Sequence, residues 1–264
     1  MTPSTYLSRL TTRFLDLGGK IHTAQLASLS PSGISSLTSS LSLGKITRLI
    51  LCIGLGASFL PGLEDKSVFP TRGQVVKVRA PWVKTGWTRQ VGSLNGGEGG
   101  KRTYVIPRGN GEVILGGTRD VDEWQVCSTG LSMREVRADF PGYLRRGQYR
   151  DATPDPETTR DILLRALEIY PAMLASHPTS PLPASSPLED KLALLETLVE
   201  DVIVGHRPSR QAGPRVERGS DVRDVIGNEG EAVKVFYNYG HGGAGWQACW
   251  GAAEEVNDLV MTAV

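Results

Sequence analysis

The chain has 264 residues, a formal net charge of +1 at pH 7 and a hydrophobic fraction of 39%. This length allows one large domain or two small ones, and the near-neutral charge gives no support to a nucleic acid or an anionic membrane as the partner. We therefore expect a globular protein that acts on a small molecule.

The N-terminal segment favours an amphipathic helix that ends at Gly18 and Gly19. Its apolar side chains share one side of that helix: Tyr6, Leu7, Leu10, Phe14 and Leu17. The same segment is rich in Ser and Thr, carries Arg9 and Arg13 and has no acid before Asp16, which is also typical of a mitochondrial transit peptide. Both interpretations stay open.

Two strands are predicted next, separated by a serine-rich connector. Residues 20–27 can form a strand, 29–43 are expected to be the connector, and 46–53 predict a buried strand because their second half is continuously apolar. The apolar run at 49–60 is shorter than the roughly 20 residues that cross a bilayer. This order suits part of an α/β layer.

The pattern changes to short alternating segments after Gly73. Residues 74–79, 103–107 and 112–116, with glycine-rich turns between them, predict an antiparallel sheet. Residues 126–152 are basic and weakly periodic, and we expect an insertion or a loop there.

The remaining residues predict a return to helices and strands. Two amphipathic helices, at 158–173 and 188–200, flank a linker rich in Pro and Ser. A strand at 202–205 leads into an arginine-rich turn, and a strand at 233–239 precedes a final helix at 244–264.

Cysteine and histidine usage limits the function further. Cys52, Cys127 and Cys249 form no CxxC pair and the four histidines have no metal-ligand spacing, so we expect neither a disulfide framework nor a metal site. An intracellular, reducing compartment is the default for such a chain.

The glycine-rich turn before the final helix has the spacing GxGxxG at Gly240, Gly242 and Gly245. The dinucleotide fingerprint also requires a second strand and an acidic residue about 20 positions later, whereas the residues from Gly245 to Val264 have a helical pattern. We therefore interpret the turn as the end of a sheet. Its helix would direct free N–H groups and a positive dipole end at an electron-rich group.

Arginines in the segment 205–215 could bind a carboxylate, because a guanidinium forms two parallel hydrogen bonds to it. Arg207 and Arg210 would face opposite ways in an extended segment, so only one should reach a given pocket. Tyr104 lies in a predicted strand and becomes relevant with Arg210 nearby. Surface or packing roles stay open for all three.

Five sequence blocks, in this order, resemble the D-amino-acid oxidase family. They are LCIGLGA at 51–57, RGQVVKVRAPW at 72–82, TYVIPRGNGEVILGGT at 103–118, GHRPSRQAGPRVE at 205–217 and YNYGHGGAGWQACWGAAEE at 237–255. The resemblance covers most of the chain.

The resemblance implies an α/β fold of mixed α+β type, in which an incomplete Rossmann-like FAD-binding domain is interleaved with an antiparallel-sheet substrate domain. The implied boundaries are 1–68 for the partial FAD-binding domain, 69–204 for the substrate domain, and 205–264 for the closing strands and final helix of the FAD-binding domain. The family's first strand, with its own GxGxxG, is expected upstream of Met1. Ile53 stands where the family commonly carries a hydroxyl residue.

The resemblance also implies a reaction and its residues. The family oxidises D-amino acids with FAD and O2 to 2-oxo acids, ammonia and hydrogen peroxide, by hydride transfer from Cα to flavin N5. Arg210 would bind the substrate carboxylate, the Tyr104 hydroxyl would share it, and the Gly243 carbonyl would hold the amine; these three are the implied catalytic residues. The implied cofactor-binding residues are Leu26, Ile53, Gly242, Gly243, Ala244, Gly245, Trp246 and Gln247.

The partners implied are FAD, a small D-amino acid and O2, with no nucleic acid, membrane or metal, and a homodimer stays open. The family location is the peroxisome, with the cytoplasm as the alternative because the last residues, MTAV, are not an SKL-type signal. Two other functions stay open. One is a catalytically silent, truncated fragment, and the other is a D-aspartate oxidase in which Arg89, Lys101 or Arg102 supplies a second cation.

Overall fold

The computed structural model describes residues 2–92, 101–121 and 153–263, with Lys101 described by its backbone alone. The predicted insertion at 126–152 lies outside the described residues.

The described residues form a mixed α/β structure, as expected. The helices are α1 (Pro3–Asp16), α2 (Pro31–Ser40), α3 (Pro156–Ile169), α4 (Leu188–Thr197) and α5 (Gly245–Thr262), with 3-10 turns at Gly54–Ser58 and Gly242–Ala244. The strands are β1 (Arg48–Leu51), β2 (Val68–Arg79), β3 (Trp87–Val91), β4 (Lys101–Pro107), β5 (Glu112–Gly116), β6 (Asp120–Val121), β7 (Val199–Arg210), β8 (Arg215–Arg218) and β9 (Lys234–Tyr239).

The chain divides into two compact units. Among the described residues, unit 1 contains 2–20, 72–92, 101–120 and 153–205, and unit 2 contains 21–71, 121 and 206–263. The assignment of particular segments to a flavin domain and a substrate domain stays a prediction.

Unit 1 is organised around an antiparallel sheet. The strand order is β3-β4-β5-β2-β6, and β7 also pairs with β2. The apolar side of α3 is buried in this unit, as the periodicity at 158–173 predicts. The largest apolar cluster of the described chain lies here: Val76, Val78, Ala80, Val83, Val105, Val113, Leu115, Ile162, Leu163, Ala166, Leu167, Met173, Leu174, Leu192 and Leu195.

Polar contacts fix the start of α3 on this sheet. The carboxylate of Asp155 accepts the N–H of Thr158 at 2.8 Å and so caps the helix. The fully buried Gln74 on β2 donates to the carbonyl of Asp155 at 2.8 Å and accepts its N–H at 2.9 Å. Burial of this amide costs little because both of its polar atoms are bonded.

Unit 2 contains a three-stranded sheet in the order β1-β9-β8. Strand β1 runs parallel to β9, and β8 runs antiparallel to it. Two smaller apolar clusters pack against this sheet, one around Leu51 and Val235 and one around Ile34 and Val233. Helix α5 follows β9 after the turn at 240–244.

Several predicted elements are confirmed. The antiparallel strands at 74–79, 103–107 and 112–116 lie within β2, β4 and β5, and the final helix corresponds to α5. The N-terminal helix also forms, as α1, although none of its residues is buried. No helix in the part of the chain that the structure describes is long and apolar enough to cross a bilayer.

Two predictions near the N-terminus are wrong. Residues 20–27 form no strand and are mostly exposed, so the segment buries no face. The serine-rich connector at 29–43 contains α2 instead. The Ser30 hydroxyl accepts the N–H of Gly33 at 3.1 Å, and Pro31 starts the helix without an N–H that would need a partner.

Two strand predictions need correction in detail. The strand at 46–53 exists as β1, but Ile50 is 45% exposed because β1 lies at the edge of its described sheet. The arginine-rich segment after Gly205 is not a turn, because β7 continues to Arg210. Its side chains therefore have the fixed directions of a strand.

Candidate functional site

The end of β7 lies beside the glycine-rich turn that follows β9, within unit 2. Ser209 forms an antiparallel bridge with His241, and its hydroxyl lies 2.7 Å from the hydroxyl of Thr71. Gly240 has φ of +87°, and a Cβ there would lie 2.8 Å from Cβ of Arg210. Only glycine combines this left-handed conformation with such a close approach.

The guanidinium of Arg210 is held by an ion pair. Its Nε donates to Oδ2 of Asp65 at 2.9 Å, and Nη1 makes longer contacts to the carbonyls of Gln211 and Gly213 at 3.5 and 3.4 Å. The Arg210 side chain is 21% exposed. The group is thus oriented and still partly accessible.

Asp65 is the centre of this polar cluster. Its side chain is only 6% exposed, and it accepts hydrogen bonds from the Tyr239 hydroxyl at 2.9 Å and from the Ser67 N–H at 3.0 Å. Burial opposes ionisation of the Asp65 carboxyl, but the bonds from Arg210, Ser67 and Tyr239 hold its pKa below the ordinary value. The group is therefore ionised near neutral pH.

A second arginine completes the cluster. Nη1 of Arg215 lies 3.6 Å from Oδ2 of Asp65 and donates to the Tyr239 hydroxyl at 2.9 Å. The guanidinium carbon of Arg215 lies 4.1 Å from the centroid of the Tyr237 ring, a distance at which a cation attracts an aromatic face. Burial of the phenol and its bond to Asp65 raise the pKa of Tyr239 to about 12, although Arg215 opposes this.

The turn at 240–244 leads into α5 with an accessible N-terminus. Gly242 has φ of +54°, and Gly243, Ala244 and Gln247 are exposed. Among the described residues, no side chain hydrogen-bonds to cap this helix. The positive end of the helix dipole lies at this terminus, a setting that fits an electron-rich ring edge.

The other predicted cofactor-binding residues fall into two groups. Gly245 and Trp246 begin α5, with Trp246 47% exposed. Leu26 and Ile53 are half-buried and pack against the apolar cluster around Leu51. Contact of any of these residues with a cofactor stays a prediction.

Tyr104 lies in unit 1, apart in the chain from the rest of the predicted site. It is half-buried on β4, opposite Thr88 on β3 and Gly116 on β5. The Tyr104 side chain packs against Gly116 and Gly117, where an added Cβ would collide with it. That its hydroxyl shares a carboxylate with Arg210 stays a prediction.

Two of the three cations considered for a second carboxylate, Arg89 and Arg102, have partners in unit 1. Both Nη atoms of Arg89 donate to the carboxylate of Glu168 at 2.7 Å, and Nε of Arg102 donates to Oε1 of Gln90 at 2.9 Å. The side chain of Lys101 lies outside the described residues. In the described ranges no group of three or more His, Cys, Asp or Glu side chains could hold a metal ion.

Sequence reasoning missed Asp65, Arg215 and Tyr239 as members of the site. Asp65 is 145 positions from Arg210 and 174 from Tyr239, so no local spacing connects them. The sequence therefore carries no local signal for this cluster.

Comparison with known proteins places these features in context. The FAD dependent oxidoreductase family matches residues 1–259. A D-aspartate oxidase from Cryptococcus neoformans var. grubii serotype A is 44% identical over 100% of this chain and 62% of its own length. A D-amino acid oxidase from Dugesia ryukyuensis is 27% identical over 94% of this chain and 53% of its own length.

The chain thus spans about half to three fifths of the length of these relatives. Among solved structures, a glycine oxidase from Bacillus cereus ATCC 14579 is similar, with 18% identity and a TM-score of 0.47 over 81% of this chain and 42% of that one.

Proposed function

The chain belongs to the FAD dependent oxidoreductase family, and on that premise we propose that it acts in the oxidative deamination of D-amino acids. The products would be a 2-oxo acid, ammonia and hydrogen peroxide, with O2 as the final electron acceptor. The match over residues 1–259 is the observation that carries this proposal.

In the proposed reaction, Arg210 binds the substrate carboxylate. An arginine that is ion-paired on one side and partly exposed on the other can form charge-assisted hydrogen bonds at low entropic cost. The Tyr104 hydroxyl would donate to the same carboxylate, and the carbonyl of Gly243 would accept from the substrate amine. No side-chain base is needed at Cα, because the hydrogen would leave as a hydride and not as a proton. Positioning supplies much of the rate.

Residues 242–247, which form the end of the glycine-rich turn and the start of α5, would border the electron-rich edge of the isoalloxazine ring. The N–H groups at the start of α5 would stabilise negative charge there. When bound, FAD supplies the acceptor for the hydride that leaves Cα. Leu26 and Ile53 would lie along the cofactor.

The purified chain in excess FAD tests the proposal. We expect quenched flavin fluorescence, a higher Tm, and peroxide formation from D-alanine or D-aspartate but not from the L-enantiomers. If FAD fluorescence is not quenched and the Tm does not rise, the result favours a catalytically silent fragment. The cellular site, which we propose to be the peroxisome or the cytoplasm, can be read from a tagged full-length gene product.

The first testable prediction concerns Arg210→Ala. Loss of a hydrogen-bonded charge of this kind costs about 1.5–3 kcal/mol, so we expect KM for every D-amino acid to rise about 10- to 100-fold. Arg218→Ala is the matched control, because Arg218 lies on β8 and pairs with Asp221 at 3.1 Å in a more exposed setting. A KM for Arg210→Ala equal to that of Arg218→Ala would refute the assignment.

A second candidate is oxidation specific for D-aspartate, which the 44% identity to a D-aspartate oxidase favours. The two cations on β3 and β4 with described side chains, Arg89 and Arg102, would then have to exchange their present partners for the second carboxylate. The ratio of kcat/KM for D-aspartate to that for D-alanine decides between the candidates, and a ratio well above one supports the acidic substrate.

A further inference from the structure

We propose that Asp65 is a positioning residue, which sets the direction from which Arg210 receives a carboxylate. The proposal rests on the proposed function in one respect: it takes Arg210 as the residue that binds the substrate carboxylate. Asp65 itself would act through Arg210 and would not contact the substrate.

The turn at 65–67 holds Arg210 at two points. The Asp65 carboxylate accepts from Nε of the side chain at 2.9 Å, and the carbonyl of Ser67 accepts the N–H of the next residue, Gln211, at 3.0 Å. Because both the backbone and the side chain are fixed from one short turn, the guanidinium has little freedom to rotate about its long stem.

This contact selects one edge of the guanidinium. A carboxylate can pair with Nε and one Nη from the side, or with both Nη atoms from the end. Asp65 occupies Nε at 2.9 Å, whereas Nη1 makes only long contacts of 3.5 and 3.4 Å to the carbonyls of Gln211 and Gly213. The end-on edge of Arg210, formed by Nη1 and Nη2, is therefore the one that a second carboxylate can take. Without Asp65, both edges would be open and the bound carboxylate would have no fixed direction.

A nearby anion could instead weaken substrate binding by neutralising Arg210. Two other contacts oppose that effect, because the same Oδ2 of Asp65 accepts from the Tyr239 hydroxyl at 2.9 Å and lies 3.6 Å from Nη1 of Arg215. The negative charge of Asp65 is thus shared between two cations. Removing it would leave Arg210 and Arg215 facing each other without an anion between them, which favours displacement of Arg210.

The close fit beside Gly240 supports a positioning role over general stabilisation. Cβ and Cδ of Arg210 would lie 2.8 and 3.2 Å from a Cβ at Gly240, so the stem passes directly along the turn whose next residues are the predicted amine and flavin contacts. A small rotation of the Arg210 side chain would therefore move its guanidinium relative to that turn.

The test measures binding of benzoate, a carboxylate without an amine, to the full chain in the presence of FAD. We expect Asp65→Asn to raise the Kd for benzoate about tenfold, with the Kd for FAD changed less than twofold. Asn228→Ala is the matched control, because Asn228 is a buried polar residue of unit 2 that bonds the backbone of Ile46 at 2.6 and 3.2 Å and takes no part in the Asp65–Arg210 ion pair. It should lower Tm while changing the benzoate Kd less than twofold.

The outcomes separate the two proposals. If Arg210→Ala binds benzoate as the wild type does, or the wild type binds none, the proposed function fails and this inference fails with it. If Arg210→Ala loses affinity but Asp65→Asn binds as tightly as the wild type or more tightly, only the positioning role is overturned. Equal losses in Asn228→Ala and Asp65→Asn would also overturn it, since they would reflect general disruption.

Asp65→Glu covers the case in which Asp65→Asn does not fold. This variant keeps the negative charge but moves the carboxylate by one methylene group, and we expect a smaller rise in the benzoate Kd of about threefold. If Asp65→Asn does not fold, a wild-type Kd in Asp65→Glu would overturn the proposal.

Discussion

The two units of the chain are stabilised by different kinds of interaction. Unit 1 contains the largest apolar cluster of the described residues, built from one sheet and the helices α3 and α4. Unit 2 has smaller apolar clusters and adds a buried carboxylate that contacts two arginines and a tyrosine.

This difference matters for how each unit responds to change. Apolar packing is non-directional, so a core keeps its function as long as its volume and pattern are kept. A buried polar cluster depends on distances and angles, because each unpaired group in it costs free energy. We therefore expect substitutions in the apolar core of unit 1 to change stability most, and those in the polar cluster of unit 2 to change ligand affinity most.

The largest expected effect on stability comes from Leu163→Ala in unit 1. Leu163 lies on the buried side of α3 and is 1% exposed, and removal of such a side chain costs about 2–5 kcal/mol. Thermal unfolding should show a clearly lower Tm, while the benzoate Kd at temperatures where the variant is folded should stay within twofold of the wild-type value. A large loss of affinity in the folded variant would contradict the proposed separation of roles.

The same difference explains how much of unit 1 could be predicted from sequence. The apolar positions of α3 recur at helical spacing, and the buried positions of β2 and β4 alternate with less buried ones at 74–79 and 103–107, so local patterns indicate both the element and its buried side. The failures lie in unit 2, at 20–27 and 29–43. There residues 20–27 pair with no strand of the described chain, and the capping of α2 by Ser30 outweighs a composition typical of a connector.

The next prediction compares two glycines of unit 2 that have the same backbone conformation. Gly240 has φ of +87° and Gly227 has φ of +88°, but only Gly240 has neighbours within 4 Å of an added Cβ. A Cβ in the left-handed region costs about 1–2 kcal/mol, so both Ala variants should lose stability. Gly240→Ala should lose more, because its Cβ would collide with the stem of Arg210.

The benzoate affinity of the same two variants tests whether the position of Arg210 depends on Gly240. We expect Gly240→Ala to bind benzoate about tenfold more weakly than the wild type, since Arg210 must move, and Gly227→Ala to bind it normally. Titration calorimetry measures both values. If the two variants had the same benzoate Kd, Arg210 would not depend on the turn at 240–244.

The site itself could be predicted only in part, for a physical reason. Arg210 and the turn at 240–247 carry local signals, namely a fork-shaped cation and a glycine pattern before a helix. Asp65 and Tyr239 carry none, because their roles depend on a carboxylate and a phenol that meet only after β9 and the 65–67 turn are in place. Such long-range pairing is a property of the fold and is absent from local spacing.

The smallest expected effect is a difference in acid sensitivity between a buried and an exposed ion pair. The pKa of Asp65 lies below its ordinary value in the folded chain, so its contribution to the free energy of unfolding is present above the unfolded pKa of about 3.9 and is lost as the pH falls through the folded pKa. Each unit of lowering corresponds to about 1.4 kcal/mol. The stability difference between wild type and Asp65→Asn should therefore shrink from pH 6 to pH 3.

Glu168 in unit 1 provides the exposed counterpart. The hydrogen bonds from Arg89 lower its pKa as well, so the sign of the pH dependence is the same. Water and salt screen an exposed pair strongly, however, while a buried pair is screened much less. Denaturant unfolding of Glu168→Gln at low and high salt should show a pH-dependent difference that salt removes, whereas the difference for Asp65→Asn should persist. A salt-sensitive contribution from Asp65 would mean that its ion pair with Arg210 is open to water, and the distinction between the units would then fail at the site itself.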